Sequence, residues 1–312
     1  MVREYIHIIE YSQRGPLWNL MDGVTCYDNH HVLETKGKFV DLDRYPAEDV
    51  FVFHTTGKNF PMINSLQLFL EKGKCCVVFI HTLPDYIIDK GFSDFMPFIS
   101  KTQKKYGYKA LVPSTMASQM FYEYGIRCEA VNLGIRAIEF AGHSKGLEKY
   151  FNRIITVSTK NTDEYMLAKG VDRFCQLMRT VGMESCALIL GTNAGQDTGI
   201  ESIRLTHQDF LYVLSHARAY VQLSRSESYN ISVIEAKQLM IPVLVSDSTG
   251  HKDSVRNTNC RVDSFDDAIS KLLEILKRGP KVEAWVRDNY RCSIRDESIG
   301  AFRNRIESVI EG

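Results

Sequence analysis

The chain's strongest constraint on its own fold is a rhythm of short, continuously apolar runs separated by longer stretches of helical periodicity. A run such as Cys75-Cys76-Val77-Val78-Phe79-Ile80 is too short for a helix and carries no polar alternation, so both of its faces are expected to be buried. That pattern belongs to parallel strands covered by helices on both sides and joined by strand–helix–strand crossovers, an α/β class. In the first half the expected strands are 5–9, 50–54, 75–81, 109–112 and 130–133, with helices over 63–71, 92–106 and 115–124. The series then restarts, with strands at 153–158, 186–190, 219–223, 242–246 and 260–262 and helices over 169–181, 208–217, 231–239 and 266–277. At 312 residues, two series of about 150 residues each mean two doubly wound domains rather than one. Gly142, Ser144, Lys145 and Gly146 interrupt the apolar pattern between them. The expected division is therefore 1–148, 149–290 and a C-terminal helical segment, 291–312. Trp285, Val286, Tyr290, Phe302 and Ile306 give the C-terminal stretch an apolar face that can cross a domain boundary.

Composition removes several classes of function. Lysine plus arginine (38) cancels aspartate plus glutamate (38), which argues against a dedicated nucleic-acid binder. The 15 tyrosines and 16 phenylalanines are scattered without basic residues between them, so no base-stacking surface is expected. No apolar run is long enough to cross a bilayer, and Met1-Val2-Arg3-Glu4-Tyr5-Ile6 reads as a charged pair entering a strand rather than a signal peptide. The 8 cysteines contain no C-x-x-C pair and several sit in apolar runs, as free thiols do in a reducing, cytoplasmic compartment. The 9 histidines show no metal-ligand spacing, so neither a metal nor a cofactor is expected. Phe92, Phe95, Met96, Ile99 and Tyr106 fall near helical spacing beside Lys101, Lys104 and Lys105. Two readings stand: a core stripe with a solvated edge, or a basic amphipathic helix resting on anionic lipid at the inner face of a membrane.

The most informative stretch runs from Ser224 to Asp247. An expected strand ends in a polar turn containing Glu227, a helix follows from about Asn230 with Glu235 inside it, and Ile241-Pro242 leads into the next strand. Ligands of open parallel sheets bind where strand carboxyl ends meet helix amino ends. The backbone N–H groups of Ile231 and Ser232 would open that helix unpaired, and with the helix dipole they suit an anion such as a diphosphate. Ile231, Glu235 and Gln238 share a helical face, which places Glu235 beside such an anion. The competing reading makes Glu227 part of a helix cap and Glu235 a surface residue. His81 and His54 both end apolar strands, and each can be read as a satisfied core histidine or as a side chain lining a cleft.

These residues resemble a known family. Glu227 and Glu235, followed by Ala236 and Ile241-Pro242-Val243-Leu244-Val245-Ser246, look like the E-x7-E signature of retaining glycosyltransferases of family four. Lys169-Gly170-Val171-Asp172 is similar to that family's Lys-Gly-x-Asp element. The stretch from Ser114 to Gly134, with Gly134-Ile135-Arg136 and Phe140, resembles the segment closing the first domain. The resemblance implies the GT-B fold: two Rossmann-like domains with parallel sheets facing across a cleft, and a C-terminal helix crossing back to the first. It implies transfer of a sugar from a nucleotide-diphosphate donor, a UDP-sugar being the first choice, to a carbohydrate, lipid-linked or protein acceptor. By the same resemblance Glu227 and His81 would serve at the donor sugar and Lys169 at the diphosphate. Tyr229, Asn230, Ile231 and Ser232 would line the donor, and Glu235 would accept hydrogen bonds from the ribose. Stabilisation of the diphosphate by protein donors would remove the need for a metal.

The chain also departs from the family pattern. Where members carry Gly-Arg this one reads Ser158-Thr159-Lys160, so Lys160 would replace the arginine without its bidentate fork. Ser228-Tyr229-Asn230 stands for Gly-Phe-Gly, with Asn230 expected in the left-handed region that the glycine would adopt. The glycine-rich loop after the first strand is reduced to Arg14-Gly15-Pro16. Two rival readings follow: a non-catalytic partner or chaperone of the same fold, and a nucleotide-sugar epimerase.

Overall fold

A computed structural model describes residues 3–10, 29–35, 44–46, 48–55, 60–84, 94–140, 142–159, 162–191 and 198–311. The chain divides into two compact units, Met1–Arg136 together with Ser298–Gly312, and Ala137–Glu297.

The first unit is built on a parallel sheet of β1 (Tyr5–Glu10), β2 (His30–Thr35), β3 (Val50–Thr55), β4 (Cys75–Ile80), β5 (Lys109–Val112) and β6 (Cys128–Ala130), in the order β2-β1-β3-β4-β5-β6. Helices Phe60–Glu71, Phe95–Tyr106 and Thr115–Glu123 make the crossovers. Phe51 and Phe53 pack edge-on against Phe69 of the first of these, with ring centroids 4.7 and 5.2 Å apart. Burying side chains of this size contributes about 1.5–3 kcal/mol each. The stripe of Phe95, Met96 and Ile99 belongs to this core, all three being buried. Its apolar face therefore does not rest on a membrane; Phe92 lies outside the described residues. Among the described residues, no helix is long and apolar enough to cross a membrane.

The second unit repeats the plan with β7 (Ile154–Val157), β8 (Ala187–Leu190), β9 (Ser202–Ile203), β10 (Ala219–Gln222), β11 (Val243–Ser246) and β12 (Arg261–Val262), ordered β12-β11-β10-β7-β8-β9 and parallel throughout. Its helices are Asp163–Ala168, Val171–Thr180, His207–Ser215, Ile231–Gln238, Thr249–Ser254, Phe265–Lys277 and Pro280–Asp296. The continuously apolar runs are the central strands, whose residues in β8, β10 and β11 are all buried.

The expected strand at 130–133 forms earlier, at Cys128–Ala130. Val131 and Leu133 are apolar because they are buried after the strand ends, although the Val131 N–H still reaches Val112 O at 2.8 Å. The single C-terminal periodic stretch breaks into Pro280–Asp296 and Ile299–Glu311. The break lies where Ile299 N–H bonds Ile135 O at 3.0 Å. Gly134 permits this approach, because a Cβ there would lie 2.3 Å from Ser298 O. The last helix thereby packs in the first unit, with Phe302 and Ile306 fully buried and the Phe302 ring 5.9 Å from that of Phe79.

Candidate active site

In the second sheet, chain order runs outward from β7 in both directions, so the switch point lies between β7 and β10. Loops leaving the carboxyl ends of such a pair flank the crevice that parallel sheets offer to ligands. Gln222, fully buried at the end of β10, ties the two strands together. Its Oε1 accepts from Val157 N–H at 3.3 Å and from the Tyr220 hydroxyl at 3.0 Å, while its Nε2 donates to Lys169 O at 2.6 Å.

Lys169 sits in the junction between helices Asp163–Ala168 and Val171–Thr180, and each fixed position of Lys169-Gly170-Val171-Asp172 has a separate task there. Gly170 has φ +70 and presses on the strand β10 turn so closely that a Cβ would lie 1.9 Å from Leu223 O. Asp172 accepts a two-pronged bond from Arg225 at 2.7 and 2.6 Å, and Arg225 also donates to Leu167 O at 2.6 Å. This Arg225 fork holds the Asp172 carboxyl below its ordinary range. Lys169 Nζ then meets Glu227 Oε2 at 2.6 Å. Burial alone would pull the Lys169 ammonium down, but Glu227 and Tyr165 outweigh it and hold it above its usual value.

Ser224 Oγ and Asn230 Nδ2 approach the same Glu227 oxygen, each at 3.4 Å. Asn230 is extended, with φ −101 and ψ 101, and its side chain accepts from Val233 N–H at 3.3 Å. It is an N-cap, not the left-handed residue expected, because an asparagine oxygen at that position pairs a helix donor that glycine would leave open. The amides of Ile231 and Ser232 open the helix in front of Glu227. Fully buried His251 adds Nε2 at 3.4 Å from Asn230 Nδ2 and Nδ1 at 3.0 Å from Ser248 Oγ. Burial brings its imidazole down to about 4, against the upward pull of Glu227. The fully buried Tyr220 hydroxyl, also beside Asn230 and Ser232, is driven upward by burial and by the charges of Glu227 and Glu235.

Glu235, one helical turn further on, does not stand open to a ligand: its Oε1 lies 2.6 Å from His207 Nε2. The bond to Glu235 raises the His207 imidazole, while burial raises the Glu235 carboxyl against the pull of His207. Both shifts favour the protonated form of each group in the folded state. The stability this adds through His207 is complete below about pH 6.5 and fades as pH rises through the imidazole's folded value. The melting-temperature gap between wild type and His207→Gln should accordingly be largest near pH 6 and shrink towards about pH 9. A gap constant with pH would show that folding does not favour the protonated imidazole.

Tyr229 turns inward. It is 5% exposed and its hydroxyl donates to Glu297 Oε1 at 2.9 Å, so it anchors the turn instead of lining a ligand. Lys160 lies outside the described residues, as do Arg14, Gly15 and Pro16. His81 and His54 are in the first unit, at the carboxyl end of the sheet, with His54 Nδ1 2.7 Å from His81 Nε2. Gln222, Arg225, His207, Tyr220 and His251 escaped the sequence reading, since each is an isolated residue whose role depends on partners far along the chain. Among the described residues, no three or more His, Cys, Asp or Glu are grouped to hold a metal ion. A cavity of about 600 Å³ opens at the amino ends of β10 and β11 between Ala217, Pro242 and Arg278, away from this chemistry.

Residues 203–291, which include His207, Glu227 and Glu235, match the family model described as Glycosyl transferases group 1. By sequence, no curated protein matches the chain. Among solved structures, a sucrose-phosphate synthase from Thermosynechococcus elongatus superimposes with a TM-score of 0.74 at 10% identity, covering 99% of this chain and 98% of that one. The fold is GT-B. The trehalose-6-phosphate synthase OtsA gives a TM-score of 0.70 at 10% identity, with 99% of each chain covered. The Anabaena protein HepE in complex with UDP gives 0.74 at 10% identity, again with 99% of each covered. The glycosyltransferase resemblance therefore holds at the level of the GT-B fold and of the matched segment, which contains Glu227 and Glu235 but not Lys169.

Proposed function

We propose that the protein is a retaining glycosyltransferase that binds a nucleotide-diphosphate sugar, a UDP-sugar first among candidates, on its second unit. The observation that carries this reading is the meeting of Lys169 with Glu227 at 2.6 Å, at the sheet's switch point and in front of a capped helix start. Lys169 and the amides of Ile231 and Ser232 supply positive potential for a diphosphate, and Glu227 supplies an acceptor for sugar hydroxyls. As the sugar–phosphate bond breaks, negative charge grows on the leaving diphosphate and positive charge on the anomeric carbon. A cation that can turn to the diphosphate and a carboxylate left facing the sugar match that separation of charge. The related fold of a protein solved with UDP and glucose supports the choice of donor. In the proposed cycle Lys169 releases Glu227 to take the diphosphate, and Glu235 turns from His207 to the ribose.

No metal or cofactor is invoked, and the acceptor is proposed to be a carbohydrate, lipid-linked or protein hydroxyl. Incubation with UDP-, GDP- and ADP-sugars separates this reading from its rivals. Release of nucleotide, by transfer or slow hydrolysis, is the expected result. A changed sugar still attached to its nucleotide would mean an epimerase, and no turnover with any donor a non-catalytic partner. Glu235→Ala is expected to weaken UDP about tenfold, the equivalent of roughly 1.4 kcal/mol, by calorimetry. An unchanged dissociation constant would leave Glu235 a partner of His207 alone.

A further inference from the structure

The cavity at the amino ends of β10 and β11 has no part in the proposed function, yet its rim gathers the backbone's costliest conformations. Among the described residues, three that are not glycine have positive φ: Asn152 at +57°, Met240 at +57° and Arg278 at +49°. All three line this one cavity of the second unit. A Cβ in that region is crowded by the backbone beside it, which asparagine tolerates better than methionine or arginine.

Met240 gives the clearest measure, because the same turn recurs elsewhere in the chain. Its N–H bonds Lys237 O at 3.0 Å and the Ile241 N–H bonds Ala236 O at 2.9 Å, the double closure that ends a helix on a left-handed residue. The same two bonds follow Phe60–Glu71, Thr115–Glu123 and Val171–Thr180, and there the left-handed residue is Gly73, Gly125 and Gly182. Crowding does not impose glycine at Gly73 or Gly182, where a Cβ would meet nothing within 4 Å. Those glycines relieve the backbone alone. After Ile231–Gln238 the chain forgoes that relief for a methionine that is 49% exposed. Phe265–Lys277 likewise ends on Arg278, also exposed. Its guanidinium bonds Arg218 O at 3.4 Å and, among the described residues, no carboxylate. An exposed side chain gains little from burial, so a backbone cost accepted for it points to a task outside the fold.

The lining states what would fit. Leu239, Ile241, Pro242, Val282 and Val286 give the cavity an apolar wall, which the unbranched Met240 side chain can extend over a ligand. Two arginines, Arg278 and Arg287, face it with one carboxylate, Glu283, and that carboxylate lies 3.7 Å from Arg287. Arg278 is left as the uncompensated cation, with a fork of donors suited to a planar or tetrahedral anion. The volume, about 600 Å³, falls among those of small-molecule sites. We propose that this cavity binds a small amphipathic anion, an apolar body carrying a carboxylate, sulfonate or phosphate, with Arg278 on the charge and Met240 on the body. The proposal does not depend on the glycosyltransferase reading.

The test is fluorescence titration with anilinonaphthalene sulfonate, an aromatic body with one anionic group, against phenylnaphthylamine, the same body without the charge. UDP is kept in excess so that the proposed donor crevice is not the site read. Wild type should bind the sulfonate saturably at one site, about tenfold more tightly than the neutral amine. Arg278→Gly should bring the two probes to similar affinity, and Met240→Gly should weaken both by about threefold or more. Both glycine variants should melt higher than wild type, by about 2–4 °C, because the backbone cost is gone. Stability gained as binding is lost is a pairing that a merely structural rim would not produce. Lack of saturable binding by wild type, equal binding of the two probes, or glycine variants that bind the sulfonate like wild type overturns the proposal. So does a glycine variant that melts lower, since its side chain would then serve the fold. A dimer that Met240→Gly dissociates, read by light scattering, would assign the rim to a second copy of the chain instead.

Discussion

Glu227→Gln is expected to lower sugar transfer by about a hundredfold or more, the scale of removing one preorganised charge from a transition state, while UDP binds at least as tightly as before. The second half of that expectation comes from the unliganded geometry. Lys169 Nζ already has a carboxylate at 2.6 Å, so a diphosphate must compete with Glu227 for it. Glutamine keeps the shape and the hydrogen-bonding oxygen but removes the charge, and the competition weakens. Transfer falls for the opposite reason: the neutral amide no longer faces the positive charge growing at the anomeric carbon. Calorimetry with UDP and single-turnover transfer measure the two effects separately. If UDP binding weakened in step with turnover, Glu227 would be a structural partner of Lys169 and its place in the mechanism would go.

The central architecture was legible because buried parallel strands write themselves as unbroken apolar runs, and β5 (Lys109–Val112) follows its run to the residue. Two of the edge strands do not. β2, with its opening His30-His31, and β9, only two residues long, each pair with a single neighbour and carry no such run, so neither was anticipated. The candidate residues Glu227, Glu235 and Lys169 were legible from spacing and resemblance. The use those residues make of one another was not. The sequence could not say that Lys169 points at Glu227, that Glu235 is held by His207, or that Tyr229 faces Glu297, because each pairing joins separate elements through the packed sheet. The row that His7 and His30 form with His54 and His81 was hidden for the same reason. His7 and His30 drew no notice on β1 and β2, and only the strand order brings the four together.

The largest effect on stability is expected from Lys237→Met. Lys237 lies on the helix that carries Glu235, is 1% exposed, and bonds both Glu297 Oε2 and Ser254 O. Glu297, 4% exposed in its side chain, spends its other oxygen on the Tyr229 hydroxyl. Methionine fills the space but leaves the Glu297 charge buried without its counter-ion, a change that costs about 3–5 kcal/mol in comparable pairs. Denaturant unfolding should show a loss of that size. The double variant Lys237→Met/Glu297→Gln should recover most of it, since the amide is neutral and its oxygen still accepts from Tyr229. Recovery would locate the loss in the unpaired charge; a double variant no better than the single would locate it in packing. The pair also reaches function by a short path. Glu297 holds Tyr229, Tyr229 fixes the turn between Glu227 and Asn230, and Asn230 caps the helix whose first amides are proposed to meet the diphosphate. The single variant should therefore lose UDP affinity as well as stability, and the double variant should regain both together.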